Sequence, residues 1–130
     1  MCAPPGAGHA LRDRSGLFGM RILQFGFDGL PDNVHRPDVF PEDSLAYTGT
    51  HDNSTLLGWW NSLDAEQRAT VARYYQFRAD DPVGKVVWSL VEAAVACRSR
   101  VAVIPFQDLL VLDERARMNN PAVLAGNGDW

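Results

Sequence analysis

Short β-favouring, largely apolar runs alternate with longer stretches of helical pattern along this chain. Three such runs lie near residues 21–27, 46–50 and 101–104. Apolar runs of this length, without strict alternation, are typical of strands covered on both faces in a parallel sheet. We therefore predict three parallel strands in the order first, second, third, with helices in the connections.

Helix signals fill the space between the second and third runs. Residues 54–62 form a short, apolar stretch that predicts a helix, and Asn53 or Ser54 can cap this helix. Asp64 then begins an Asp-x-x-Gln capping box, which predicts a helix reaching about residue 77.

A third helix is predicted after Asp81, taken as its N-cap with Pro82 at the first helical position. Its apolar positions recur at helical spacing and form a face broad enough to pack on a sheet. These positions are Val83, Val86, Val87, Leu90, Val91, Ala94 and Val95.

The chain divides into a short lead and one larger unit. Residues 1–10 carry two prolines and two glycines without apolar periodicity, so we predict a disordered N-terminal lead there and an ordered unit over residues 11–130. Residues 30–40 form a proline-rich loop, in which His35 is expected at the surface.

Composition narrows the function classes. Hydrophobic residues make up 46% and charged residues 22%, as in ordinary globular proteins. The net charge of −4, without a basic cluster, argues against nucleic acid as a partner. No apolar run is long enough to span a membrane, and the N-terminus lacks the features of a signal peptide, so a cytoplasmic protein is expected.

Polar side chains follow the second and third strands. His51, Asp52 and Asn53 come after the second, and Gln107 with Asp108 after the third. In barrels built of strand–helix units the chemistry lies at the carboxyl ends of the strands. The alternative is a strand-to-helix turn whose polar groups only satisfy the backbone.

Metal and cofactor sites are not indicated. A site formed by His51, Asp52 and either His9 or His35 is conceivable, but no two of these residues show a recurring metal-ligand spacing. The two cysteines, Cys2 and Cys97, have neither zinc-ligand nor disulfide-framework spacing. We predict no metal and no cofactor.

The sequence of residues 47–53, Tyr-Thr-Gly-Thr-His-Asp-Asn, resembles the seventh-strand motif of the 4-α-glucanotransferases (amylomaltase or disproportionating enzyme, glycoside hydrolase family 77 type). Three further matches occur in the family's order. Residues 11–28 resemble its sixth strand and the approach to it, residues 104–110 its eighth strand and exit, and residues 116–121 a segment near its C-terminus.

This resemblance implies about the last three strand–helix units of a (β/α)₈ TIM barrel, an incomplete α/β fold, since the complete barrel needs about 250 residues. It implies retaining transfer of α-1,4-glucan or maltooligosaccharide segments. The family's transition-state-stabilising carboxylate matches Asp52. His51 is its hydroxyl-binding neighbour, and Asn53 and Gln107 are the other substrate-binding candidates.

The family's nucleophile and acid/base lie on its fourth and fifth strands, upstream of every match in this chain. We therefore expect a C-terminal fragment that is inactive alone, with an upstream chain carrying the rest of the barrel as a candidate partner. The alternative is a non-catalytic α/β remnant or interaction module.

Overall fold

A three-stranded parallel sheet organises the computed structural model, which describes residues 7–128. Its strands are β1 (Gly19–Ile22), β2 (Ser44–Tyr47) and β3 (Val101–Val103), with β2 in the centre. Met20 pairs with Leu45, and Leu45 in turn with Val101. The prediction of three parallel strands in chain order is confirmed.

Five α-helices and three 3₁₀ turns accompany this sheet in the described part of the chain. The helices are α1 (Ala7–Arg14), α2 (Leu56–Ser62), α3 (Ala65–Tyr74), α4 (Val83–Ala96) and α5 (Phe106–Leu109). The 3₁₀ turns are Leu23–Phe27, Pro37–Val39 and Glu114–Ala116. Residues 7–10 of the predicted disordered lead are therefore helical, while residues 1–6 lie outside the described residues.

The first strand is shorter than the predicted run. It ends at Ile22, and Leu23–Phe27 forms a 3₁₀ turn instead. The reason is the register, because Ile22 pairs with Tyr47, the last residue of β2, and the chain beyond has no ladder partner on that strand. Gly26 lies against the backbone of the following loop, where an added Cβ would be 2.7 Å from the His35 carbonyl oxygen.

The caps of α2 and α4 differ from prediction by one or two residues. Thr55 caps α2, and its Oγ1 accepts a hydrogen bond from the Gly58 N–H at 3.0 Å. Pro82, not Asp81, holds the N-cap position of α4. The Asp81 carboxylate instead forms an ion pair with Lys85 at 2.9 Å.

The capping box of α3 is confirmed. Asp64 accepts from the Gln67 backbone N–H at 2.8 Å, and the Gln67 side chain accepts from the Asp64 N–H at 2.9 Å. The helix ends at Tyr74, slightly before the predicted position.

One face of the sheet packs on the helices and forms the core. Side chains from α2, α3, α4 and the first 3₁₀ turn are buried there, and α4 contacts both β2 and β3. Burying a Leu or Val side chain fully contributes about 1.5–3 kcal/mol. The core residues are Leu23, Leu56, Trp60, Val71, Ala72, Val86, Val87, Leu90, Val91 and Ala94.

The opposite face of the sheet is largely uncovered. Met20, Val101 and Val103 share this face because side chains alternate along a strand, and they are 46%, 43% and 38% exposed. The expectation of a third strand buried on both faces is therefore wrong for the described chain, because helices cover only one face. None of the described helices has the length and hydropathy needed to cross a membrane.

His35 ties the proline-rich loop to the end of β1. Its Nδ1 accepts a hydrogen bond from the Ile22 N–H at 3.0 Å, and the ring is partly buried rather than a surface group as expected. Burial lowers the pKa of His35, the nearby Arg21 lowers it further, and Asp28 opposes both. Folding therefore favours the neutral imidazole, the form whose Nδ1 can accept the Ile22 hydrogen bond.

We expect the free energy of unfolding to fall as the pH drops below about 6.5, the ordinary histidine pKa. Over the window down to the lowered folded-state pKa, the unfolded chain binds more protons than the folded chain, so acid favours unfolding. Urea denaturation of wild type and His35→Leu between pH 5 and 8 measures this. The variant should lose that part of the pH dependence, and its free energy of unfolding should fall by about 1 kcal/mol because the hydrogen bond from Ile22 is lost. His9→Leu, at an exposed position of α1, is the control. A pH dependence unchanged in His35→Leu would contradict the prediction.

Candidate active-site rim

The loop after β2 turns tightly and directs two polar side chains outward. Asn53 Oδ1 accepts hydrogen bonds from the Thr50 backbone N–H at 2.8 Å and from the Thr50 hydroxyl at 2.7 Å. The Asn53 N–H donates back to the Thr50 carbonyl at 3.1 Å. The side-chain Oδ1 of Asn53 is thus engaged within the turn, and His51 and Asp52 are exposed at its tip.

His51 and Asp52 form a solvent-accessible imidazole–carboxylate pair. His51 Nε2 lies 3.3 Å from Asp52 Oδ2, and the two side chains are 63% and 50% exposed. The other carboxylate oxygen, Oδ1, accepts a hydrogen bond from Asn119 Nδ2 at 3.1 Å. The pair is therefore open to a ligand on one side and held by protein on the other.

A segment near the end of the described chain, residues 117–119, donates hydrogen bonds to the backbone of this loop. Arg117 Nη2 donates to the Asp52 carbonyl at 2.7 Å, and the Asn119 N–H donates to the His51 carbonyl at 3.1 Å. Arg117 is itself paired with Glu114 at 3.0 Å. Sequence reasoning matched this segment to the family but assigned it no role, and its place below the His51–Asp52 loop follows only from the fold.

The two polar residues after β3 are buried. Asp108, which is 1% exposed, accepts hydrogen bonds from the Leu56 N–H through Oδ1 and from the Thr48 hydroxyl through Oδ2, both at 2.7 Å. Burial raises the pKa of Asp108 above its ordinary value, although both hydrogen bonds oppose that shift. Asp108 thus joins α5 to the end of β2 and to the start of α2. Gln107, 3% exposed, lies beside it.

A groove of about 420 Å³ lies at the carboxyl ends of the strands. His51, Asn53 and Gln107 all line it, together with apolar side chains from the uncovered sheet face such as Tyr47 and Val103. The structure therefore brings three of the four predicted site residues to one groove. Asp52 follows His51 in the chain but is not among the lining residues.

A larger cleft of about 640 Å³ lies elsewhere, between residues 26–31 and helix α3. None of the four predicted site residues lines it. Size alone would favour this cleft, but the polar residues at the strand ends mark the smaller groove. Within residues 7–128, no group of three or more His, Cys, Asp or Glu side chains is placed to hold a metal ion.

Comparison with known proteins identifies the family. A family model described as 4-alpha-glucanotransferase matches residues 5–130. The chloroplastic/amyloplastic 4-alpha-glucanotransferase of Arabidopsis thaliana is 41% identical over 120 residues, which cover 92% of this chain and 20% of the plant protein. The Streptococcus pneumoniae 4-alpha-glucanotransferase is 42% identical over 121 residues, covering 92% of this chain and 23% of that protein. The chain thus spans about a fifth to a quarter of the length of these relatives.

Solved structures agree. An amylomaltase from Streptococcus agalactiae, in complex with acarbose, matches with a TM-score of 0.88 and 30% identity, covering 100% of this chain and 26% of that one. An amylomaltase from Corynebacterium glutamicum, at 17% identity and a TM-score of 0.66, shows the same fold. The resemblance in the sequence motifs is confirmed, and the chain belongs to the 4-alpha-glucanotransferase family.

Proposed function

We propose that this chain is part of a 4-α-glucanotransferase and supplies about the last three strand–helix units of its (β/α)₈ barrel. The enzyme transfers a segment of an α-1,4-glucan to the 4-hydroxyl of glucose or of another glucan, with retention of configuration. One observation carries the proposal: the His51–Asp52 pair lies at the end of the central strand, at a groove lined by His51, Asn53 and Gln107. The amylomaltase that shares this fold is in complex with acarbose, which supports a carbohydrate ligand.

Asp52 is the group that we expect to stabilise positive charge on the substrate. Retaining transfer passes through an oxocarbenium-like transition state, in which positive charge develops on the sugar ring. A fixed carboxylate beside that ring stabilises the charge more in the transition state than in the ground state, which is the condition for catalysis. Its neighbour His51 offers a ring nitrogen to the sugar hydroxyls.

The reaction also needs a nucleophilic carboxylate and an acid/base carboxyl about 5 to 5.5 Å apart. Two acidic side chains accept hydrogen bonds from residues that flank the His51–Asp52 loop, and both are already engaged. Asp108 is buried and accepts two hydrogen bonds, and Glu114 is paired with Arg117. As the resemblance to the family implies, we place the nucleophile and the acid/base on barrel strands other than β1, β2 and β3.

The uncovered sheet face is where the rest of the barrel would pack. Its exposed side chains are apolar, and β1 and β3 are the two edge strands of the sheet. A segment that carries the other strands would pair with both edges and bury this face. The same surface would serve a non-catalytic interaction module, so ligand binding has to separate the two functions.

Titration of the ¹⁵N-labelled chain with maltotriose tests glucan binding. We expect saturable shifts of the His51 and Gln107 backbone amide signals, and no comparable shifts with the β-1,4-linked control cellotriose. His51→Ala should weaken the maltotriose response. Identical responses to both sugars, or none at these residues, would favour the interaction module.

A further inference from the structure

We infer that Asn119 is a positioning residue that fixes the orientation of the Asp52 carboxylate, with Arg117 fixing the backbone beneath it. The inference rests on the proposed function, because it assigns Asn119 a task in glucan transfer. Its geometric part, the hold on Asp52, concerns the folded chain alone.

Asn119 contacts the loop at two points. Its backbone N–H donates to the His51 carbonyl oxygen, and its side-chain Nδ2 donates to Asp52 Oδ1, each at 3.1 Å. One contact fixes where the loop lies, and the other fixes how the carboxylate is rotated. With Oδ1 held by the amide, Oδ2 is the oxygen that lies beside His51 Nε2 at 3.3 Å.

Arg117 makes this hold rigid. Its guanidinium donates through Nη2 to the Asp52 carbonyl at 2.7 Å and through Nε to the Asn119 carbonyl at 2.6 Å. Nη1 pairs with Glu114 at 3.0 Å. Because the guanidinium is planar and its donors lie in a fixed fork, these contacts lock Asp52 and Asn119 into one relative geometry.

The need for such a hold follows from exposure. Asp52 is half exposed at the tip of a turn, where a short polar side chain samples several rotamers at little cost. Catalysis by a charged group depends on placement, and an error of about 1 Å can cost about 10²-fold in rate. The amide of Asn119 thus keeps the carboxylate oriented before substrate arrives.

Three-bond couplings across the Cα–Cβ bond of Asp52, measured by NMR on the labelled 130-residue chain, report its rotamer directly. We expect values of a single rotamer in wild type and averaged values in Asn119→Ala and Asn119→Asp. The aspartate variant keeps the size of the side chain but replaces the donor with an acceptor, so a packing role would leave the couplings unchanged. Asn120→Ala, at an exposed amide of the same segment, is the matched control and should resemble wild type. Unchanged couplings in both Asn119 variants, or equal averaging in the control, would overturn the inference.

The catalytic consequence is measured in a barrel assembled from this chain and a segment carrying the other strands. Asn119→Ala and Asn119→Asp are each expected to lower kcat by about 10- to 100-fold, with KM within about twofold of wild type, because the substrate is still bound but the charge is misplaced. A rise in KM at unchanged kcat would contradict a positioning role. Failure of the wild-type assembly to transfer glucan would contradict the proposed function instead, while the couplings would still decide the hold on Asp52.

Discussion

Asp52→Asn is expected to lower kcat for glucan transfer by about 10²- to 10³-fold in a barrel assembled from this chain and a segment carrying the other strands. The amide has the same size and can still accept the hydrogen bond that Asn119 donates to Oδ1. What disappears is the negative charge that the proposed function places beside the sugar ring, where positive charge develops. The loss should therefore appear in kcat, with a smaller change in KM.

Initial rates of glucose release from maltotriose measure this effect, and co-elution of the two chains on size exclusion verifies assembly. Asp32→Asn, which removes an exposed carboxylate from the proline-rich loop, is the matched control and should leave the rate unchanged. An Asp52→Asn enzyme with near wild-type kcat would mean that the charge is stabilised by another group.

Asp108→Ala is expected to lower the free energy of unfolding by about 2 to 4 kcal/mol, because it leaves two buried donors without an acceptor. The Leu56 N–H and the Thr48 hydroxyl both donate to this carboxylate. Asp108→Asn should cost less, since its carbonyl oxygen can accept from Leu56 and its NH₂ can donate to the Thr48 hydroxyl. Urea denaturation of the three proteins measures the difference, and equal losses in both variants would contradict this division of the contacts.

The pH dependence gives a second test of the same residue. Burial raises the pKa of Asp108 in the folded chain. Between the ordinary aspartate pKa and that raised value, the folded chain binds more protons than the unfolded chain, so this residue makes stability fall as pH rises. Asp108→Asn should remove that contribution.

The secondary structure was predictable where local signals decide it. Short apolar runs indicated the three strands, and the Asp64–Gln67 capping box marked the start of α3. The end of β1 could not be predicted in this way, because the largely apolar residues 23–27 suit a strand as well as the 3₁₀ turn that they form. Only the pairing of Ile22 with Tyr47 decides the boundary, and that pairing is non-local.

The site was predictable in the same partial way. The His51–Asp52 motif follows the end of β2 after three intervening residues, so its place near the strand end could be inferred from sequence. Arg117 and Asn119 contact Asp52 across 65 and 67 positions of sequence, respectively, so no local sequence pattern predicts these contacts. Asp108 was expected at the rim with Gln107, but its carboxylate lies under the loop as a structural acceptor.

Disproportionation of maltotriose, assayed for the 130-residue chain alone and for the chain combined with a segment carrying the other strands, tests the central claim most directly. We expect no transfer and no hydrolysis by the chain alone, because the proposed function gives it only the stabilising carboxylate and places the nucleophile and the acid/base on other strands. Activity should appear in the co-eluting mixture. Transfer by the chain alone, abolished by Asp52→Asn, would contradict this claim, and so would an inactive mixture whose two parts assemble.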